Sequence, residues 1–143
     1  QFWCEFTASR HMSRRGVARG ERVCREAFES GAMYPRVDFG ALRTSALADV
    51  PEVFGEALAC AGLDRVDAAI VTHLSPDVED ELRALLAPRV GRFVLRRAAY
   101  SFGSTLPLAL VSAADATEIS AGDTVALVTA GAGASFGAAV VRW

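Results

Sequence analysis

The sequence predicts an α/β domain in which helices pack on a mixed β-sheet and the chain ends in an antiparallel hairpin. Short apolar runs alternate with segments whose apolar residues recur every three or four positions, which is the pattern of helices layered on a sheet. The last two strand-like runs are separated by a glycine cluster, which predicts the closing hairpin. Of the 143 residues, 52% are hydrophobic and the charges are mixed in sign, so a packed core is expected rather than disorder.

The clearest elements lie in the second half of the chain. The run Ala68–Thr72 is apolar up to its last residue, which is typical of a buried central strand. The other predicted strands are Arg92–Arg97, Thr124–Thr129 and Ser135–Trp143, and the predicted helices are Asp77–Leu86 and Leu106–Ile119.

A further helix is predicted before the central strand. Its apolar residues recur every three or four positions from Val50 to Ala61, which defines one apolar face. Asp49 is predicted to cap this helix and Gly62 to end it. The alternative is an earlier start near Ala41 with a kink at Pro51.

The N-terminal region carries weaker signals. Phe2–Thr7 alternates in the manner of a strand, the Arg-rich stretch after it fits a loop or a short helix, and Glu21–Ser30 is a candidate helix. We therefore divide the chain into an N-terminal strand with an Arg-rich connecting segment (1–42) and a C-terminal half-domain (43–143).

Composition excludes several classes of function. The formal net charge is −2, so no general attraction to nucleic acid or to an anionic membrane is expected. Apolar runs fall well short of the roughly 20 residues of a membrane helix. The chain has three cysteines, Cys4, Cys24 and Cys60, and they show no CxxC spacing. We therefore expect neither a disulfide framework nor a metal site. Unpaired thiols also predict a reducing, cytoplasmic location.

Six arginines are concentrated near the N-terminus: Arg10, Arg14, Arg15, Arg19, Arg22 and Arg25. Such a segment is often simply a solvated surface. The functional interpretation is a patch for an acidic carrier protein or for the phosphates of CoA, because guanidinium groups suit phosphate.

Two features could carry chemistry. His73 directly follows the predicted central strand, and ligands bind at the carboxyl ends of strands in open α/β sheets. A histidine there can donate to a thioester oxygen or accept a proton near neutral pH; a hydrogen-bonded structural histidine is the alternative. Gly131, Ala132 and Gly133 lie between two strands, where bare N–H groups can hold an oxyanion, although a tight hairpin also explains the glycines.

Three segments carry a resemblance to a known family. Ala121–Trp143, which reads AGDTVALVTAGAGASFGAAVVRW, resembles the C-terminus of type III ketoacyl-ACP synthases, members of the thiolase superfamily. Gly103–Leu110 resembles the helix entry of that family, and Val71–Pro76 occupies the place of its conserved histidine segment.

The resemblance implies one thiolase-like half-fold of an enzyme that contains two such halves and works as a two-fold dimer. The first half, on the same or a separate chain, would supply the nucleophilic Cys, and the substrate would be a thioester of CoA or acyl carrier protein, with no bound cofactor. His73 then corresponds to the family's histidine, and Ala132 offers an oxyanion N–H within Gly131–Gly133. The family's Asn falls at Tyr100, next to Ser101, and the chain contains no Asn.

Three functions are consistent with this pattern. The first is an acyltransferase of secondary metabolism, in which a Cys–His pair moves an acyl group without decarboxylation. The second is a non-catalytic partner subunit of a thiolase-like heteromer. The third is a decarboxylating 3-oxoacyl-ACP synthase III in which Tyr100 or Ser101 replaces the Asn.

Overall fold

A mixed β-sheet with helices on both faces organises the part of the chain that the structure describes. The computed structural model describes residues 5–13, 18–19, 25–30, 36–73, 75–95, 101–131 and 134–143. In chain order the elements are β1 (Glu5–Ser13), β2 (Ala18–Arg19), α1 (Arg25–Ser30), β3 (Arg36–Val37), α2 (Phe39–Ala61), β4 (Val66–His73), α3 (Pro76–Leu86), β5 (Val90–Val94), α4 (Thr105–Asp115), β6 (Thr124–Gly131) and β7 (Ser135–Arg142). Two short 3₁₀ turns, Ala87–Arg89 and Phe102–Ser104, precede β5 and α4.

The main sheet has five strands in the order β1-β7-β6-β4-β5. Strand β4 runs parallel to both β5 and β6, whereas β7 is antiparallel to β6 and to β1. The strands β6 and β7 form the predicted closing hairpin. The α/β class and the mixed sheet are therefore confirmed, and the short strands β2 and β3 form a separate two-stranded sheet.

Alternating side chains of β4 build two hydrophobic cores, one on each face of the sheet. Ala69 and Val71 pack in the core that contains α2 and α3. Ala68 and Ile70 face the opposite way, into the core that contains α4. Because both faces are covered, β4 is buried along almost its whole length, which explains its continuous apolar sequence.

The long helix α2 begins earlier than Asp49. Asp38 is its N-cap, and the Asp38 side chain accepts the backbone N–H of Ala41 at 2.9 Å. The prediction that Asp49 caps the helix is wrong, since Asp49 lies inside it and is buried; the early start is correct. Gly62 ends the helix as predicted, with a φ of 69° that favours glycine.

The first strand differs from its predicted extent. In the described residues β1 runs to Ser13, through positions that were expected to form a loop or short helix. Its backbone pairs with β7 over this whole length, with an irregularity between Phe6 and Ala8. Pairing with a distant strand therefore extends β1 into a sequence without a clear strand pattern.

One smaller expectation also needs correction. Helix α4 ends at Asp115 rather than at Ile119, because the chain turns at Thr117, whose φ is 53°. Helix α2 spans residues 42 and 43, and β1 belongs to the same sheet as the strands of the 43–143 region. The division of the chain between residues 42 and 43 stays a prediction.

Candidate active site at the carboxyl end of β4

His73 is the last residue of the central strand β4. In the parallel register with β6 it lies opposite Ala130, directly before Gly131. Its side chain is 1% exposed, and it shares the sheet face of Ala69 and Val71, the face that α2 and α3 cover. The fold thus brings His73 and the start of the Gly131–Gly133 segment to the same end of two neighbouring strands.

Hydrogen bonds fix the protonation pattern of the His73 ring. The backbone N–H of Ser75 donates to Nδ1 of His73 at 2.9 Å. An imidazole nitrogen that accepts an N–H carries no proton, so the neutral ring must carry its proton on Nε2. Within the described residues, the buried Nε2 has no hydrogen-bond partner. His73 therefore has a buried N–H donor at the strand end that no described residue satisfies.

The surroundings also keep the ring neutral. Burial lowers the pKa of His73 below its ordinary value, and the nearby Glu79 carboxylate opposes this shift only in part. A neutral imidazole with its proton on Nε2 can donate a hydrogen bond there but cannot take a second proton on the same atom. Of the two roles considered from the sequence, this geometry favours donation to an oxygen.

Glu79 is a site residue that the sequence reasoning missed. Its Oε1 accepts the backbone N–H of His73 at 2.9 Å, and its side chain is buried. The sequence did contain a signal for it, because Glu79 lies three and seven residues before Leu82 and Leu86 and so falls on the same face of α3. Both leucines are buried. A carboxylate in an apolar stripe is costly to bury, and this cost could have identified it.

The glycine segment is described in part. Gly131 ends β6 and pairs with Ser135, whereas Ala132 and Gly133, including the proposed oxyanion N–H, lie outside the described residues. A Cβ placed at Gly131 would meet the Ser135 carbonyl oxygen at 3.7 Å, an ordinary contact. Local packing of the hairpin therefore does not require glycine at position 131.

The position expected for the family's Asn is also only partly visible. Tyr100 lies outside the described residues. Ser101 is exposed, and its backbone N–H donates to Oγ1 of Thr105 at 2.7 Å while its carbonyl accepts the N–H of Ser104 at 3.1 Å. The Ser101 backbone is thus engaged in the turn that leads into α4.

The remaining sequence-predicted candidates are the cysteines and the Arg-rich segment. Cys60 is exposed near the end of α2, and Cys4 and Cys24 lie outside the described residues. In the Arg-rich segment only Arg25 has a described side chain, which is exposed on α1.

A separate groove of about 730 Å³ is lined by Arg92, Phe93, Val94, Leu95, Thr117, Glu118, Ser120 and Asp123. Arg92 pairs with Ala68 near the start of β4, so this part of the groove lies at the opposite end of the sheet from His73. No cluster of His, Cys, Asp or Glu suitable for a metal ion occurs among the described residues, and none of their helices is long and apolar enough to cross a membrane.

Comparison with known proteins identifies the same architecture. The family described as 3-oxoacyl-[acyl-carrier-protein] synthase III C terminal matches residues 61–143. The chain is similar to 3-oxoacyl-(acyl carrier protein) synthase III from Pseudomonas aeruginosa, with a TM-score of 0.79 and 20% identity over 96% of this chain and 45% of that one. The synthase III from Thermus thermophilus gives a TM-score of 0.77 and 24% identity over 96% and 46%.

A tetronic acid condensing enzyme also shares the fold, with a TM-score of 0.79 and 14% identity over 98% of this chain and 47% of that one. These likenesses confirm the thiolase-like half-fold, and the chain spans less than half the length of each solved structure. Among curated protein sequences, none matches the chain significantly.

Proposed function

Because the chain belongs to the family of 3-oxoacyl-[acyl-carrier-protein] synthase III C-terminal domains, we propose that it forms the second half of an acyltransferase of secondary metabolism. The enzyme takes an acyl group from a thioester of CoA or acyl carrier protein and passes it to an acceptor. A nucleophilic Cys comes from an N-terminal thiolase-like half, on the same or a separate chain.

The observation that carries this proposal is the unsatisfied Nε2–H of His73. A structural histidine normally satisfies both ring nitrogens when it is buried, since an unpaired buried donor costs about 1–3 kcal/mol. His73 satisfies Nδ1 alone among the described residues. A substrate carbonyl oxygen that becomes negatively charged during reaction is the partner that this donor suits.

The proposed chemistry has two steps. The Cys thiolate attacks the thioester carbonyl, a new C–S bond forms, and the C–S bond to CoA or the carrier breaks, releasing its thiolate, which takes up a proton. An alcohol, amine or thiol acceptor then attacks the enzyme thioester, loses its proton and regenerates the Cys thiolate. In both steps His73 Nε2–H donates to the carbonyl oxygen while that oxygen carries negative charge, and Ala132 N–H is the proposed second donor.

The sequence supports transfer without decarboxylation. From the resemblance to type III synthases we expect an Asn at position 100, where its amide would stabilise the enolate that forms when a malonyl thioester loses carbon dioxide. This chain has Tyr100 at that position instead. Release of carbon dioxide from a malonyl thioester would favour the decarboxylating synthase, with Tyr100 or Ser101 in the role of the Asn.

The proposed assembly follows from an incomplete half-fold. Leu108 and Val111 lie three residues apart on α4 and are 47% and 56% exposed. Apolar side chains grouped on one helix face often mark an interface. We assign this face to the N-terminal half and expect the paired halves to form a two-fold dimer in the cytoplasm.

Intact-mass analysis of the complete assembly with a panel of acyl-CoAs tests the function. We expect an acyl adduct on a Cys of the N-terminal half, none on Cys60, and transfer to a nucleophilic acceptor. If no acyl-CoA or acyl carrier protein acylates the assembly, the chain is a non-catalytic partner subunit and the proposal is wrong.

A further inference from the structure

Glu79 is a buried carboxylate in a position where the fold alone favours an apolar residue. It is 3% exposed and lies on the same side of α3 as Leu82 and Leu86, which are 0% and 2% exposed. Burial of a carboxylate is unfavourable unless hydrogen bonds and opposite charge compensate for lost hydration. A leucine here would continue the apolar stripe without that cost.

The contacts of Glu79 show what compensates for its burial. Its Oε1 accepts the backbone N–H of His73 at 2.9 Å. Its Oε2 lies 3.7 Å from Nη1 of Arg83, one turn further along α3. Arg83 therefore supplies opposite charge to the buried carboxylate. Arg83 also pairs with Asp80, whose side chain is 71% exposed.

Three hydrogen bonds form a closed ring around the turn from β4 to α3. Glu79 Oε1 accepts the His73 N–H, and Nδ1 of His73 accepts the Ser75 N–H. The Ser75 carbonyl in turn accepts the backbone N–H of Glu79 at 3.1 Å. Because each residue is tied to the other two, the position of the imidazole depends on the Glu79 side chain.

We infer that Glu79 is a positioning residue, which holds the backbone of His73 so that Ser75 binds Nδ1 and the Nε2–H donor keeps a fixed direction. The expected effect on catalysis rests on the proposed function. The expected effect on the His73 tautomer does not depend on that function. Without an acceptor at position 79, the end of β4 can rotate away from α3, the Ser75 bond weakens, and the proton redistributes between the two ring nitrogens.

The test compares three variants of the intact protein that contains this chain. Glu79→Gln keeps an oxygen acceptor without the charge, and Glu79→Met keeps similar volume without an acceptor. Asp80→Asn is the matched control, because it alters the pair with Arg83 on the same helix without contacting His73. Histidine-selective ¹⁵N NMR reports the ring tautomer, with the His73 signal assigned from a His73→Gln variant.

We expect His73 in the parent protein, in Glu79→Gln and in Asp80→Asn to show Nε2–H as the dominant tautomer. In Glu79→Met the Nδ1–H form should become populated, and kcat for acyl transfer should fall about 10- to 100-fold with KM nearly unchanged, as expected for a misplaced catalytic donor. Glu79→Gln should retain kcat within about threefold of the parent.

A parent-like tautomer and kcat in Glu79→Met would overturn the inference, as would a dominant Nδ1–H form in the parent protein. If the Met variant does not fold, Glu79→Asp decides, because it keeps the charge but withdraws the oxygen by one methylene; a parent-like ring signal there counts equally against the inference. A protein without acyl transfer whose His73 tautomer still depends on Glu79 refutes the proposed function and leaves the positioning role standing.

Discussion

Replacing His73 with leucine should make the protein slightly more stable and much less active. The substitution removes a buried Nε2–H that has no partner among the described residues, and an unsatisfied donor of this kind costs about 1–3 kcal/mol. It also removes the acceptor of the partly buried Ser75 N–H, a loss of about 0.5–1.5 kcal/mol. The first effect is larger, so we expect the free energy of unfolding to rise by about 1 kcal/mol.

The effect on activity should be far larger than the effect on stability. Removing one donor that binds a developing oxyanion lowers kcat by roughly 10²- to 10³-fold in enzymes of known mechanism. A gain in stability together with a loss of activity distinguishes a functional group from a structural one, because functional sites keep groups that the fold alone disfavours.

Urea unfolding and acyl-transfer kinetics on the intact protein provide the assay. Thr72→Val is the matched control, since Thr72 is also buried on β4 and its hydroxyl makes a long 3.4 Å bond to the Val128 carbonyl. We expect that control to keep kcat. If His73→Leu lowers the free energy of unfolding by more than about 1 kcal/mol, or leaves kcat intact, then Nε2 is not an unsatisfied catalytic donor and the reasoning fails.

Two further predictions concern the opposite end of the sheet. Gly91→Ala should lower the free energy of unfolding by about 1–3 kcal/mol, because the added Cβ would lie 2.6 Å from the Asp67 carbonyl oxygen. Gly103→Ala is the control, since a Cβ there meets nothing within 4 Å. Urea unfolding should show almost no change in stability for this control. Hydrogen bonds from the Thr124 hydroxyl and backbone hold the pKa of Asp67 below its usual value. This stabilisation is therefore complete above the unfolded-state pKa of about 3.9 and is lost as pH falls through the lower folded-state pKa. In Asp67→Asn the free energy of unfolding should therefore depend less on pH in acid than in the parent protein. An acid unfolding transition that is the same in both proteins would contradict this.

Local sequence signals were sufficient where one element contains its own pattern. The continuous apolar run of β4 requires burial on both faces, and the structure provides it. Gly62 ends α2 because its positive φ favours glycine. The motif Ala121–Trp143 identified the family, and the position of His73 at a strand end followed from the predicted strand alone.

Other features depend on residues that are distant in sequence. The extension of β1 to Ser13 comes from pairing with β7, more than a hundred residues later, and no local alternation encodes it. The true start of α2 comes from Asp38, while Asp49 has the right residue type for a cap but is buried inside the helix.

By itself the sequence determined the family, the order of the main elements and the identity of His73 as the candidate residue. Only the tertiary structure decided what that histidine can do. The Ser75 N–H fixes the proton on Nε2, the buried Glu79 carboxylate accepts the His73 backbone N–H, and the ring is buried. A side-chain type is encoded locally, but its tautomer, pKa and free hydrogen-bonding capacity are set by the atoms that folding brings around it.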